Sequence, residues 1–148
     1  MRCRRIIYSV SGRKRIGSPT MTLHKGSCHC GRVQFEVDAA DDLEVRNCNC
    51  SICRMTGHQH LIVEKSAFHL TAGEDELSCY TFNTGIAKHY FCRHCGIKSF
   101  YVPRSNPNGY SVNARCLDHA TILSKKIIDF DGQHWEENAE SLQHLTGQ

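Results

Sequence analysis

The sequence predicts an all-β domain of short antiparallel strands, closed as a sandwich or an open barrel. Three features carry that expectation. Arg32-Val33-Gln34-Phe35-Glu36-Val37-Asp38 alternates apolar and polar side chains without interruption, the period of a half-buried strand. Short stretches of similar character recur at 44–48, 60–64, 68–71, 78–82, 88–91, 99–102 and 126–130. Gly73, Gly85, Gly96, Pro103, Pro107, Gly109 and Gly132 fall between them, where chain reversal calls for such residues.

Taken in order, residues 1–20 come first and are unlike the rest. They hold six basic side chains (Arg2, Arg4, Arg5, Arg13, Lys14, Arg15) and no acid, so they read as a basic extension, disordered or artefactual, ahead of the domain at 21–148. The remaining chain has 12 Lys and Arg against 15 Asp and Glu, a net of −3, which argues against a broad nucleic-acid footprint. The strand at 32–38 opens the domain, and 44–48 runs directly into a Cys-rich turn. A short helix is expected over 51–56 after that turn, and a second over 136–142. No uninterrupted apolar run exceeds three residues, which excludes a membrane-spanning helix and a secretory signal core. Of the 148 residues 40% are hydrophobic, but ten of these are Cys, which leaves a lean core that calls for a further tie.

The cysteines supply it. Seven of the ten lie in three tight groups: Cys28-His29-Cys30, Cys48-Asn49-Cys50-Ser51-Ile52-Cys53, and Cys92-Arg93-His94-Cys95. Thiols this close are placed to chelate one ion rather than to bridge distant strands, and the pattern reads as metal binding in a reducing compartment, the cytoplasm. Soft thiolates select zinc or iron–sulfur clusters. Structural zinc takes four protein ligands and catalytic zinc three plus an open position, so seven thiols divide as four and three. Cys92-x-x-Cys95 with Gly96 behind it has the form of a zinc knuckle, and its partner pair is either Cys28/Cys30 or Cys50/Cys53. The middle group can supply three thiols from one turn with the fourth corner free. One of His29, His58, His60 and His94 could instead close that corner. Cys79 and Cys116 read as small core residues, and 104–109 as a turn that could form a pocket rim.

Four ordered segments carry a resemblance. They are Lys25-Gly26-Ser27-Cys28-His29-Cys30-Gly31-Arg32-Val33 with Phe35-Glu36-Val37, Cys48-Asn49-Cys50-Ser51-Ile52-Cys53-Arg54, Phe82-Asn83-Thr84 through Ala87-Lys88-His89-Tyr90-Phe91-Cys92-Arg93-His94-Cys95-Gly96-Ile97, and Pro103-Arg104-Ser105-Asn106-Pro107 with Val112-Asn113-Ala114-Arg115-Cys116-Leu117-Asp118 behind it. Together they resemble the glutathione-dependent formaldehyde-activating enzyme family, which includes centromere protein V. The resemblance implies a β-tent-like fold with two zinc ions per chain. It implies a structural zinc at Cys28, Cys30, Cys92 and Cys95, and a second, more labile zinc at Cys48, Cys50 and Cys53. The reaction it implies is carbon–sulfur lyase chemistry on S-hydroxymethylglutathione, the adduct of glutathione and formaldehyde, with a small thiol and an aldehyde as partners. Arg54, Lys88 and His89 are the expected contacts to glutathione or to the developing alkoxide. The other function class is a zinc-stabilised binding module for a protein or nucleic-acid partner. The acidic body of the chain disfavours a nucleic acid.

Overall fold

The alternation at 32–38 puts Val33, Phe35 and Val37 on one face, and all three are buried in the computed structural model of the chain, which describes residues 21–147. The expectation for residues 1–20 lies outside the described residues. Ten strands follow in order: β1 (Met21–Ser27), β2 (Gln34–Ala40), β3 (Asp42–Cys48), β4 (Gln59–Glu64), β5 (Phe68–Ala72), β6 (Leu77–Tyr80), β7 (Lys88–Cys92), β8 (Phe100–Val102), β9 (Gly109–Asn113) and β10 (Ser124–Phe130). A short helix, α1 (Ser51–Thr56), follows β3, and a single turn, α2 (Trp135–Asn138), leads into 3-10 structure over Ala139–Thr146. The fold is all-β.

Two sheets form. One has the order β1-β2-β5 and the other β10-β3-β4-β9-β8-β7-β6. The expected antiparallel pairing holds with one correction: β10 lies parallel to β3, with Phe130 opposite Cys48. A parallel neighbour needs a long crossover, and the segment from α1 to the turn before β10 provides it. Leu123 N–H donates to the Asp41 carbonyl at 2.9 Å and fixes where the parallel pair starts.

Aromatic side chains join the sheets. Phe35 and Phe68, from the smaller sheet, stack with centroids 5.5 Å apart, and Phe68 lies 4.6 Å from Phe100 and 4.5 Å from Tyr110 of the larger one. Burying each such ring contributes about 1.5–3 kcal/mol. Cys79 and Cys116 pack against this core. The helix expected over 136–142 is only partly α-helical. Asn138 turns its side-chain amide back onto the Asp131 and His134 carbonyls at 3.2 and 3.0 Å, a local alternative to continuing the helix. The run that follows still buries Ala139 and Leu142.

Candidate functional site

Cys28 follows β1, Cys30 lies in the turn before β2, Cys92 ends β7 and Cys95 sits in the next turn, so the two pairs come from different sheets. The alternative left open by spacing is resolved in geometry: the sulfurs of Cys28, Cys30, Cys92 and Cys95 all lie within 4.8 Å of one another. Cys30 Sγ is 3.6 Å from both Cys28 Sγ and Cys92 Sγ. The knuckle turns as its sequence requires. Gly96 takes a left-handed φ of 75°, and its N–H donates to the Cys92 carbonyl at 2.8 Å. Val33 N–H donates to Cys28 Sγ at 3.4 Å. Burial pushes the Cys28 thiol up to about 11, while a backbone hydrogen bond from Arg32 holds Cys30 below the ordinary thiol value. Four sulfurs so close ionise together only around a cation, and this donor set fits a soft divalent metal.

The second group is built by one turn. Cys48 ends β3, Cys50 is the N-cap of α1, and Cys53 is the buried residue of that helix. Asn49 secures the turn to the segment after β10. Its N–H donates to the Phe130 carbonyl at 3.3 Å, its amide donates to Asp131 Oδ1 at 3.0 Å, and Gln133 N–H donates to its Oδ1 at 2.9 Å. Gly132 leaves room for sulfur, since a Cβ there would stand 2.3 Å from Cys48 Sγ. Cys50 N–H lies 3.5 Å from Cys48 Sγ. Side-chain hydrogen bonds with Cys48 and Cys53, with further ones from the N–H groups of Cys53 and Ile52, hold Cys50 far below the ordinary thiol value. The contacts with Cys48 and Cys50 push Cys53 up. Cys50 is thus the first of the three to ionise. The sulfurs of Cys48 and Cys53 and a ring nitrogen of His60 also lie within 4.8 Å of one another.

Behind these thiols is a buried polar cluster. His60 Nδ1 lies 2.9 Å from Ser111 Oγ and 3.2 Å from the Tyr101 hydroxyl, and His58 Nε2 lies 3.2 Å from Ser111 Oγ. Lys98 Nζ donates to His89 Nδ1 at 2.8 Å and sits 3.9 Å from the centroid of the Tyr101 ring, on which His89 stacks. Burial lowers Lys98 to about 8, against the pull of the thiols at Cys53, Cys50 and Cys48. Burial likewise lowers His89 to about 4 and His60 to about 3, so these imidazoles are neutral. His60 Nε2, His89 Nε2 and His58 Nδ1 are buried without a hydrogen-bond partner among the described residues.

A cavity of about 480 Å³ opens beside this cluster. Cys48, Cys50, Cys53, His60 and His89 line one side, Phe82, Pro103, Phe130 and Trp135 form apolar wall, and Arg46, Arg54 and Arg104 supply charge. None of the four cysteines of the first group lines it. Arg46 is paired with Glu44 at 2.8 Å, and Arg104 with Glu136 at 2.7 Å while lying over the Trp135 ring. Arg54 has no ion pair among the described residues. Of the expected substrate contacts, Arg54 and His89 line the cavity. Lys88 does not, and its Nζ donates to the Gly85 carbonyl at 2.6 Å. The turn expected as a rim contributes Pro103, Arg104 and Ser105. Sequence reasoning missed Lys98, Ser111, Tyr101 and Arg46. Nothing in their local pattern separates them from ordinary strand residues.

Comparison with known proteins gives the family. The family model for glutathione-dependent formaldehyde-activating enzymes matches residues 23–136, which takes in both cysteine groups. The chain belongs to this family. A Halomonas elongata protein with the provisional name glutathione-dependent formaldehyde-activating enzyme is 31% identical over 84 residues, 49% of this chain. The match spans 52% of that relative's length. The crystal structure of a Rhodobacter sphaeroides protein, 37% identical, superposes with a TM-score of 0.59 over 70% of this chain and 99% of that one. No helix among the described residues is long and apolar enough to cross a membrane.

Proposed function

We propose that the protein is a zinc-dependent enzyme of carbon–sulfur lyase type that acts on the adduct of a small thiol and an aldehyde, with glutathione and formaldehyde as the pair. In this reading Cys28, Cys30, Cys92 and Cys95 hold a structural zinc, and Cys48, Cys50 and Cys53 hold a second. The observation that carries it is the asymmetry of surroundings: the second thiol group lines a cavity of about 480 Å³ and the first does not. That volume falls within the usual range for small-molecule sites and far exceeds what formaldehyde alone needs, which suits a peptide-sized thiol.

Zinc held by thiolates supplies a place where an incoming thiol is kept as thiolate at neutral pH. The chain does the rest. Arg54, with no carboxylate partner among the described residues, neutralises a carboxylate of glutathione. His89 accepts from Lys98 at Nδ1, so its proton sits on Nε2 and it acts as a donor toward developing charge on oxygen rather than as a base. The apolar wall limits water around the reacting atoms. In the condensing direction the carbon–sulfur bond forms, the carbonyl π bond breaks, and the thiol proton ends on the new hydroxyl. The reverse restores thiol and aldehyde. A site built on thiolates works only where thiols stay reduced, in a compartment such as the cytoplasm. Exchange NMR of formaldehyde with glutathione, with the chain carrying two zinc ions, should show adduct formation faster than in buffer. A rate equal to buffer, with both ions bound, would remove the enzyme reading for this pair.

A further inference from the structure

Three buried histidines, His58, His60 and His89, leave a ring nitrogen without a hydrogen-bond partner among the described residues, and of these His60 alone is grouped with cysteine sulfurs. A buried imidazole nitrogen left unpaired costs on the order of 1–3 kcal/mol, so such an atom needs an explanation. Its surroundings provide one: a His60 ring nitrogen and the sulfurs of Cys48 and Cys53 lie within 4.8 Å of one another. The opposite ring atom, Nδ1, is engaged by Ser111 Oγ at 2.9 Å. If Nδ1–H donates to Ser111 Oγ, the Ser111 hydroxyl donates on to His58 Nε2, 3.2 Å away, and the lone pair of His60 Nε2 is left free. Metal-bound histidines are held in this manner, with the second ring nitrogen donating to an oxygen that fixes the tautomer.

We propose that His60 Nε2 is a ligand of the second metal centre, completing Cys48, Cys50 and Cys53, with Ser111 as the residue that orients it. The inference rests on the reading of those cysteines as a metal site. It replaces the free fourth corner expected from counting thiols with an imidazole. Among four donors to a soft ion, imidazole is the hardest, and it leaves as a neutral group without first taking up a proton. With a metal bound, His60 would therefore be the corner open to exchange by a thiol entering from the cavity.

The test is ¹¹³Cd NMR of the full chain loaded with cadmium. Two cadmium resonances are expected, one coupled to both ring protons of a single histidine, the pattern of an Nε2 ligand, and the other coupled to cysteine protons alone. His60→Ala should abolish the imidazole coupling and weaken metal binding at that centre by at least about tenfold, with the four-cysteine resonance unchanged. Ser111→Ala should keep the coupling and lower the affinity by about tenfold. Two bound cadmium ions with no imidazole coupling in the unmutated chain would overturn the role of His60 while leaving the metal centre intact. A single bound cadmium would remove the metal centre itself, and this inference with it. Because the decisive reading is made on the unmutated chain, a variant that fails to fold does not blunt the test.

Discussion

At the junction of the sheets, four cysteines converge from two turns that are more than sixty residues apart in sequence, and each pair is anchored to a different sheet. At the edge of the cavity, three cysteines come from one turn six residues long, held by Asn49 and backed by neutral histidines and Lys98. Both are clusters of thiols, yet only the first closes a long loop of chain. A metal there would restrain the non-local pairing on which an all-β fold depends, and structural zinc contributes on the order of 10–16 kcal/mol to small domains. The second group is already organised by β3, α1 and β10, so a metal there would add little to the fold and would be free to serve chemistry. The cysteines alone do not separate the two proposed roles. Chain connectivity and the neighbouring cavity do.

The largest contrast should come from removing one thiol at each place. Cys92→Ser is expected to cost most of the cooperative unfolding transition, because it opens the tie between sheets. Cys50→Ser should keep a cooperative transition within a few degrees of the unmutated chain while the metal content falls from two ions to one and thiol-dependent activity disappears. Calorimetry and metal analysis on the same samples check both. Equal loss of stability in the two variants would erase the division between them.

How much of this was legible beforehand follows from the same connectivity. Strands with one buried face announce themselves by alternation, as at Phe35 and Val37, and α1 was legible because it follows a turn whose cysteines need a compact return. β1 was not, because its fully buried side chain is His24, which bonds Thr121 and the Ala40 carbonyl instead of joining an apolar stripe. β9 was not, because all five of its residues are buried and Ser111 and Asn113 among them break any alternation. The metal-ligand spacings were plain in the sequence, whereas the pairing of Cys28/Cys30 with Cys92/Cys95 needed the family resemblance or the fold. Lys98 had no sequence signal at all. Its importance arises only when β7 and β8 bring it against His89 and Tyr101.

Gly132 sharpens the comparison from the packing side. Its missing side chain makes space for Cys48, so Gly132→Ala forces sulfur or backbone to move, with an expected cost of about 1–3 kcal/mol. The same change should lower metal affinity at the cavity group and leave the four-cysteine group untouched, as competition with a chromophoric chelator would show.

Lys98 tests the electrostatics of the cavity group. Its folded value of about 8 lies below the ordinary 10.5, so the folded chain disfavours the charged form. The cost is therefore present in full below about pH 8 and is relieved as pH rises toward 10.5, where stability gains up to about 1.4 kcal/mol per pH unit. Lys98→Met should remove this upward component from a plot of unfolding free energy against pH. An unchanged slope would mean that the ammonium is better solvated than its burial indicates.

The smallest effect concerns the cavity mouth. Arg54 is exposed, and an exposed charge pair is usually worth less than about 1 kcal/mol, so Arg54→Ala should raise KM for glutathione by no more than about fivefold. If the guanidinium only holds a carboxylate remote from the reacting sulfur, its contribution is the same in ground and transition states and kcat stays put. Added salt should weaken the unmutated enzyme toward the variant, since the interaction is screened. A fall in kcat at constant KM would instead place the arginine beside the reacting atoms, and the boundary between the metal-binding wall and the substrate-holding wall of the cavity would have to be redrawn around α1.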